Sequence, residues 1–366
     1  MSKARLIAYY LPQFHPIAEN DEWWGKGFTE WTNVGKAKPL FKGHDQPKVP
    51  ADLGYYDLRI PEVRVEQARM AKEYGIEGFC YWHYWFGDGK RLLEKPFQEV
   101  LKSQKPDFGF CLAWANISWG GVAYGDLYER NLMEQKYPGV VDYTNHFNEL
   151  LPAFLDKRYL TIDDKPIFVV YNPAGLPDAK EFIDLWNKLA KENGLKGIYF
   201  IAYQHFDFPY KENGFQALTP PSPSHLFMRV KYGILDKLAK KILNKKWNQI
   251  KYSAYKIKSI YTHKQTVAAS NYSNVPKDIK FFPSCVPNWD HTPRSIYKGQ
   301  VIVENKPELF YENLMNCYER VKNYKNEEKI IFIKAWNEWA EGNYLEPDLK
   351  TGFQNLEQIK KFQEEK

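Results

Sequence analysis

Cysteine is scarce in this chain: four in 366 residues, at Cys80, Cys111, Cys285 and Cys317. No two of them form a C-x-x-C pair, so no zinc framework of that kind is expected. Cys80 and Cys111 lie inside apolar runs and read as buried free thiols. No apolar run approaches the roughly 18 residues of a membrane-spanning helix. The start, Met1-Ser2-Lys3-Ala4-Arg5, leads into an apolar run too short for a signal peptide, so a cytoplasmic protein is expected. No glycine-rich turn follows the first strand, and no G-x-G-x-x-G stands at a strand–helix junction. Both absences argue against a doubly wound sheet and against a nucleotide-sugar Rossmann enzyme. Charge is nearly balanced, with 51 Lys and Arg against 45 Asp and Glu, net +6. Mean hydropathy is −0.60. These values describe a soluble, mildly basic protein and give no ground for a nucleic-acid partner.

Aromatic residues, by contrast, are abundant at 17%, including 12 Trp and 26 Tyr. A core does not need so many Trp, so part of the excess is expected to line an open cleft. The chain is organised around Lys334-Ala335-Trp336-Asn337-Glu338-Trp339-Ala340-Glu341-Gly342. The apolar run from Ile330 through Ala335 reads as a buried strand that ends in this polar and aromatic cluster. Glu338 and Glu341 are three apart, and on a helical turn they share a face. Like charges held close push one pKa up, so one carboxyl serves as acid and the other as base. Paired carboxylates beside aromatic platforms suit glycosidic chemistry. The competing reading is a solvated turn with two unrelated glutamates, which the two interleaved Trp disfavour.

In chain order, strands are expected at Leu6–Leu11, Gly78–Trp82, Phe108–Trp114, Pro166–Tyr171, Gly197–Ala202, Phe215–Leu218, Asp278–Cys285 and Ile330–Ala335. Helical spacing marks Pro61–Tyr74, Leu92–Lys102, Tyr143–Leu155, Ala179–Glu192, Pro307–Lys322 and Asn355–Gln363. Residues 13 to 57 show no periodicity, and so long a loop is expected to be functional. Eight strands alternating with helices predict an α/β fold, a single (β/α)8 TIM barrel over residues 1–366 with long loops on the catalytic face. Residues that follow strand ends then share one rim: Gln13, His15, His83, Trp85, Trp114, Asn116, Gln204, Trp289, Asp290, Glu338 and Glu341. Residues 229–260 break the rhythm as a basic helical insertion, in which nine lysines oppose only Asp236. Such a segment can lie on an anionic membrane or hold a lipid-linked glycan. The plainer reading is a barrel helix with a solvated lysine face. A metal site built from His15, His83, His205, His291 and Asp290 lacks supporting spacing, so no metal and no cofactor are expected.

Six segments carry a family resemblance: Tyr10-Leu11-Pro12-Gln13-Phe14-His15, Asn20-Asp21-Glu22-Trp23-Trp24-Gly25, Gly27-Phe28-Thr29-Glu30-Trp31-Thr32-Asn33-Val34, Gly78-Phe79-Cys80-Tyr81-Trp82-His83-Tyr84-Trp85-Phe86, Trp289-Asp290-His291-Thr292-Pro293-Arg294 and Trp336-Asn337-Glu338-Trp339-Ala340-Glu341-Gly342. The chain resembles the WbsX-like family, found with bacterial surface-polysaccharide genes and related to glycoside hydrolase family 99, the endo-α-mannosidase type. The resemblance implies a (β/α)8 barrel acting on glycosidic bonds of an oligosaccharide or polysaccharide. It implies that Glu338 takes the proton of a sugar 2-hydroxyl, giving a 1,2-anhydro sugar. Glu341 then protonates the leaving oxygen, with overall retention. A nucleotide-sugar-dependent glycosyltransferase and an inactive glycan-binding barrel are the alternatives. The motifs add Tyr10, Trp24, Glu30, Trp31, Asn33, Tyr81, Arg294, Trp336 and Asn337 to the expected substrate contacts. One departure stands out: Ile117 occupies the place of a family Glu, and Ser118-Trp119-Gly120-Gly121 lacks the arginines that commonly follow.

Overall fold

Eight short parallel strands form the frame, in a computed structural model that describes residues 3–120, 131–231 and 233–365. They are β1 (Arg5–Tyr10), β2 (Gly78–Trp85), β3 (Gly109–Trp114), β4 (Lys165–Val170), β5 (Tyr199–Tyr203), β6 (Ala217–Thr219), β7 (Ser284–Cys285) and β8 (Ile330–Ile333). Each pairs in parallel with its successor from β1 to β6, and β8 lies between β7 and β1. The ring closes at a single bridge, Leu218 with Phe281, where Leu218 N–H donates to Lys280 O and Phe282 N–H to Leu218 O. The result is a (β/α)8 barrel. Its strands are apolar and buried almost throughout, as parallel strands covered on both faces must be.

β7 is much shorter than the Asp278–Cys285 expected. Pro283 has no N–H for the ladder, and Phe281 makes only the closing bridge. The 13–57 stretch is not one continuous loop either. It holds α1 (Ala18–Trp24) and α2 (Glu30–Gly35), too short to reveal a period. The outer helices are α3 (Pro61–Glu73), α4 (Lys95–Ser103), α5 (Val140–Phe154) and α6 (Ala179–Glu192). After β6 come α7 (Ser224–Arg229), α8 (Ile234–Leu243), α9 (Trp247–Lys251) and α10 (His263–Ala269). The chain then adds α11 (Thr292–Ser295), α12 (Pro307–Val321) and α13 (Gln354–Glu364).

Strand side chains alternate between the two faces of a sheet, and here that alternation separates two aromatic layers. Tyr9 of β1, Trp82 of β2, Tyr203 of β5 and Phe332 of β8 meet inside the barrel, with Tyr9 stacked on Trp82 at 4.8 Å. Their neighbours point outward: Tyr10 donates to Gln67 of α3, and His83 and Trp85 pack on His146 of α5.

The basic insertion departs from the plainer expectation. α8 packs chiefly on α9, and Ala239 is its buried residue. The segment that follows has a small core of its own, from Ala254, Ile257, Ile260 and Val301. No helix among the described residues is long and apolar enough to cross a membrane. Gly121, part of the departure noted above, lies outside the described residues.

Candidate active site

The pair is built at the end of β8. Ile330–Ile333 is held between β1 and β7, and the frame continues as Lys334 N–H donates to Cys285 O and Trp336 N–H to Tyr9 O. Asn337 then acts as a backbone clamp. Its side-chain oxygen accepts from Leu11 N–H at 2.7 Å, and its amide donates to Leu11 O at 3.0 Å. Asn337–Glu338 pairs antiparallel with Asn343–Tyr344, and Trp339–Glu341 between them forms a 3-10 turn. Side chains three apart eclipse on such a turn. Gly342 closes it at φ +54, where a Cβ would lie 2.7 Å from the Asp290 Cβ. That close approach lets Asp290 N–H donate to Glu341 O at 2.7 Å.

Both carboxylates meet the ammonium of Lys334. Its Nζ is in short contact with Glu338 Oε2 and 3.8 Å from Glu341 Oε2. The two carboxyls therefore lie closer than the roughly 6.5 Å minimum of an inverting glycosidase pair. Trp82 Nε1 donates to the other Glu338 oxygen at 2.7 Å. Arg294 donates from Nη1 to Glu341 and from Nε to the fully buried Glu30 at 3.1 Å, so Glu30 aims the guanidinium. His291 Nε2 is 3.8 Å from Glu341, and its Nδ1 hydrogen-bonds Ser295 at 2.7 Å.

Burial pushes Glu338 up to about 7; Lys334 opposes this, and the charge and hydrogen bonding of Glu341 reinforce it. Burial also raises Glu341, but Arg294 and Lys334 outweigh it and hold that carboxyl below its usual range. Burial drives His291 down to about 3, so it faces the pair as a neutral ring. Below about pH 7 the pair holds a single proton, which it loses as pH rises through that value, and the titration belongs to both groups together.

These groups floor a cavity of about 250 Å³. Trp82, Tyr84, Trp119 and Tyr171 supply its aromatic walls, with Ile117 on the rim, and Gln13 and Arg294 of the expected contacts line it. The remaining expected contacts stand elsewhere. Tyr10 and Tyr81 lie in the outer layer against α3 and α4. His83 bonds His146 at 2.8 Å, Trp85 donates to Asp142 at 3.0 Å, and Trp114 donates to Trp85 O at 2.9 Å. For these residues the alternation of β2 and β3 turns the side chain away from the cleft. Asn116 ties the 116 and 172 loops, bonding Asn172 N–H and O. Trp31 packs on Trp339 and donates to Tyr56 O at 2.7 Å, and Trp24 sits against Phe28. His15 and Asn33 are buried beneath the loops, and Trp336 is buried against Phe79. Trp289 stacks on His291 from behind, lining a second cavity of about 280 Å³. Asp290 accepts from Gln46 and Thr292 and bonds His44 at 2.7 Å, which fixes the loop carrying His291 and Arg294. The residues of the metal alternative are dispersed: His205 pairs with His225, His83 with His146, and Asp290 with His44.

Sequence reasoning missed Lys334, Trp82, Tyr84, Tyr171 and His291 as cleft residues. Lys334 carried a signal, a charge ending an apolar run four residues before Glu338. Glu346 carried none. It is buried behind the pair and accepts from Trp339 Nε1 at 2.6 Å, Gln67 at 2.6 Å and Tyr56 OH at 2.8 Å. Burial pushes it up to about 7.

The (β/α)8 barrel is shared with solved structures. A glycoside hydrolase-like protein superposes with a TM-score of 0.60 at 14% identity, covering 100% of this chain and 95% of that one. The GH99 endo-alpha-mannosidase from Bacteroides thetaiotaomicron gives 0.58 at 14% identity, over 98% of this chain and 96% of that one. The chain itself belongs to the WbsX glycosyltransferase family, whose pattern it matches over residues 6–359. Two Xanthomonas campestris pv. campestris proteins, each described as uncharacterized protein WxcX, are similar to it. The one from strain B100 is 35% identical over 360 residues, and the one from strain ATCC 33913 is 36% identical over 358. Each alignment covers 96% of this chain and 48% of the relative, so the chain spans about half the length of the curated relatives it matches.

Proposed function

We propose that this chain is a carbohydrate-active enzyme that acts on glycosidic bonds of a bacterial surface polysaccharide, with Glu338 and Glu341 as the reacting pair. One observation carries the reading: two carboxylates of opposite pKa shift share Lys334 at the floor of an aromatic-walled cleft. Trp82, Tyr84, Trp119 and Tyr171 offer the flat faces on which sugar rings stack.

Glu338 takes the proton of the sugar 2-hydroxyl, and the freed oxygen attacks the anomeric carbon. The bond to the leaving oxygen breaks, and Glu341 gives that oxygen a proton. In the second half, Glu341 takes a proton from water or a sugar hydroxyl, which opens the 1,2-anhydro ring. Glu338 returns its proton to O2, and configuration is retained. This cycle needs one proton on the pair at the outset. Below about pH 7 the free cleft holds that number, with the proton on Glu338, so turnover requires its transfer to Glu341 as the Arg294 contact loosens.

Glu338→Gln tests the assignment against a glycan-binding barrel that does no chemistry. A variant that still binds glycan but does not convert it supports the enzyme. Equal behaviour of wild type and variant removes the pair from the chemistry.

A further inference from the structure

The apolar side of α8 faces solvent. Ile234 is 77% exposed, Ile242 73% and Leu238 47%, and these three lie one turn apart along a single stripe. Leu235 and Leu243 widen the stripe, and Met228 and Trp247 stand exposed at either side of the helix in sequence. A helix of a water-soluble domain turns such a stripe onto its core; α8 turns only Ala239 inward. Lys237 and Lys241 border the stripe, and Lys240 lies further round, all three exposed. Lysine stems can lie along an apolar surface while their ammonium groups reach outward. From Lys231 to Lys258 nine lysines face one acid, Asp236. A hollow of about 490 Å³ opens among Asp236, Lys237, Lys240, Lys241 and Lys246.

We propose that α8 docks the chain on an anionic lipid bilayer. The stripe enters the boundary between headgroups and acyl chains, and the lysines meet lipid phosphates. Charge favours this occupant over a second copy, because two such faces would bring lysine clusters together. The element is tied to the cleft wall. α9 packs on Ser259–Thr262, that strand pairs with Gln300–Val303, and Val301 bridges Asp290 next to His291. The inference stands independently of the glycosidic reading.

The experiment is sedimentation of the purified chain with phosphatidylcholine vesicles, and with vesicles in which a third of the lipid is phosphatidylglycerol. Binding to the anionic vesicles that weakens with salt is expected. Lys237→Gln with Lys241→Gln should weaken it by roughly fivefold per lysine, and Ile234→Ser with Ile242→Ser should abolish it. All four positions are exposed, so unchanged melting temperatures separate lost binding from lost folding. Failure to bind anionic vesicles overturns the proposal, as does binding that the isoleucine variant retains. A wild-type dimer that the isoleucine variant dissociates, without vesicle binding, assigns the face to a second copy instead.

Discussion

Trp82 and Trp85 stand three residues apart on β2, and each donates its indole N–H to a buried carboxylate. Trp82 donates to Glu338 inside the barrel, and Trp85 to Asp142 of α5 outside it. The inner group belongs to a cleft with a raised carboxyl, a lysine and an open cavity. The outer group belongs to a sealed layer in which Trp85, Trp114, His146 and Trp186 pack ring against ring. Composition is alike on both sides. Strand parity decides which aromatic residues meet a ligand and which fill the wall.

The two layers should differ most at the carboxylates. Glu338→Gln or Glu341→Gln should lower turnover by about 10²–10⁴-fold, the usual contribution of a general acid or base, while melting shifts little. The outer layer should respond in the opposite sense. Trp114→Ala empties a fully buried site and should cost about 3–5 kcal/mol of stability, read from denaturant unfolding. An outer-layer variant that keeps its stability but loses turnover would erase the distinction.

The two layers should also respond differently to pH. The outer His83–His146 pair is held neutral, burial taking His83 down to about 3 and His146 well below its ordinary value. The unfolded chain takes these protons near pH 6.5, and the folded chain takes them only at much lower pH. Their stabilisation is therefore complete above about pH 6.5 and is lost as pH falls toward 3. Stability measured across that window should drop, and less so in His146→Gln. The inner pair acts on rate instead. With Glu338 raised to about 7, kcat/KM should fall as pH rises through 7 and the shared proton is lost. Arg294→Gln should move the acid limb of that profile upward, because Glu341 loses the cation that holds it low. The smallest effect is expected of Trp82→Phe, which keeps the ring and removes one N–H from Glu338. It should shift the upper limb toward higher pH by a fraction of a unit, because that bond favours the ionised carboxyl.

Much of the barrel was legible in the alternation of apolar runs and helical spacing, and Ala179–Glu192 has the same ends in sequence and structure. The carboxylate pair was legible because it sits in one short stretch. The cleft walls were not. Choosing His83 and Trp85 over Trp82 and Tyr84 depends on which way β2 faces, and β2 is buried on both faces, so polarity leaves no trace of its orientation. Tyr10 and Tyr81 failed in the same way. The short α1 and α2 were missed because six or seven residues hold too few turns to show a period. For α8 the amphipathic spacing left two readings open, a barrel helix with a solvated lysine face and a membrane- or glycan-binding segment, because spacing does not reveal whether the apolar side finds a partner.

The decisive assay incubates wild type, Glu338→Gln and Glu341→Gln with a panel of bacterial surface glycans, with and without nucleotide-sugar donors, and reads products by mass spectrometry. Donor-independent conversion that both substitutions abolish is the expected result. Product growth that depends on a nucleotide sugar and survives both substitutions would contradict the assignment of Glu338 and Glu341 as the reacting pair.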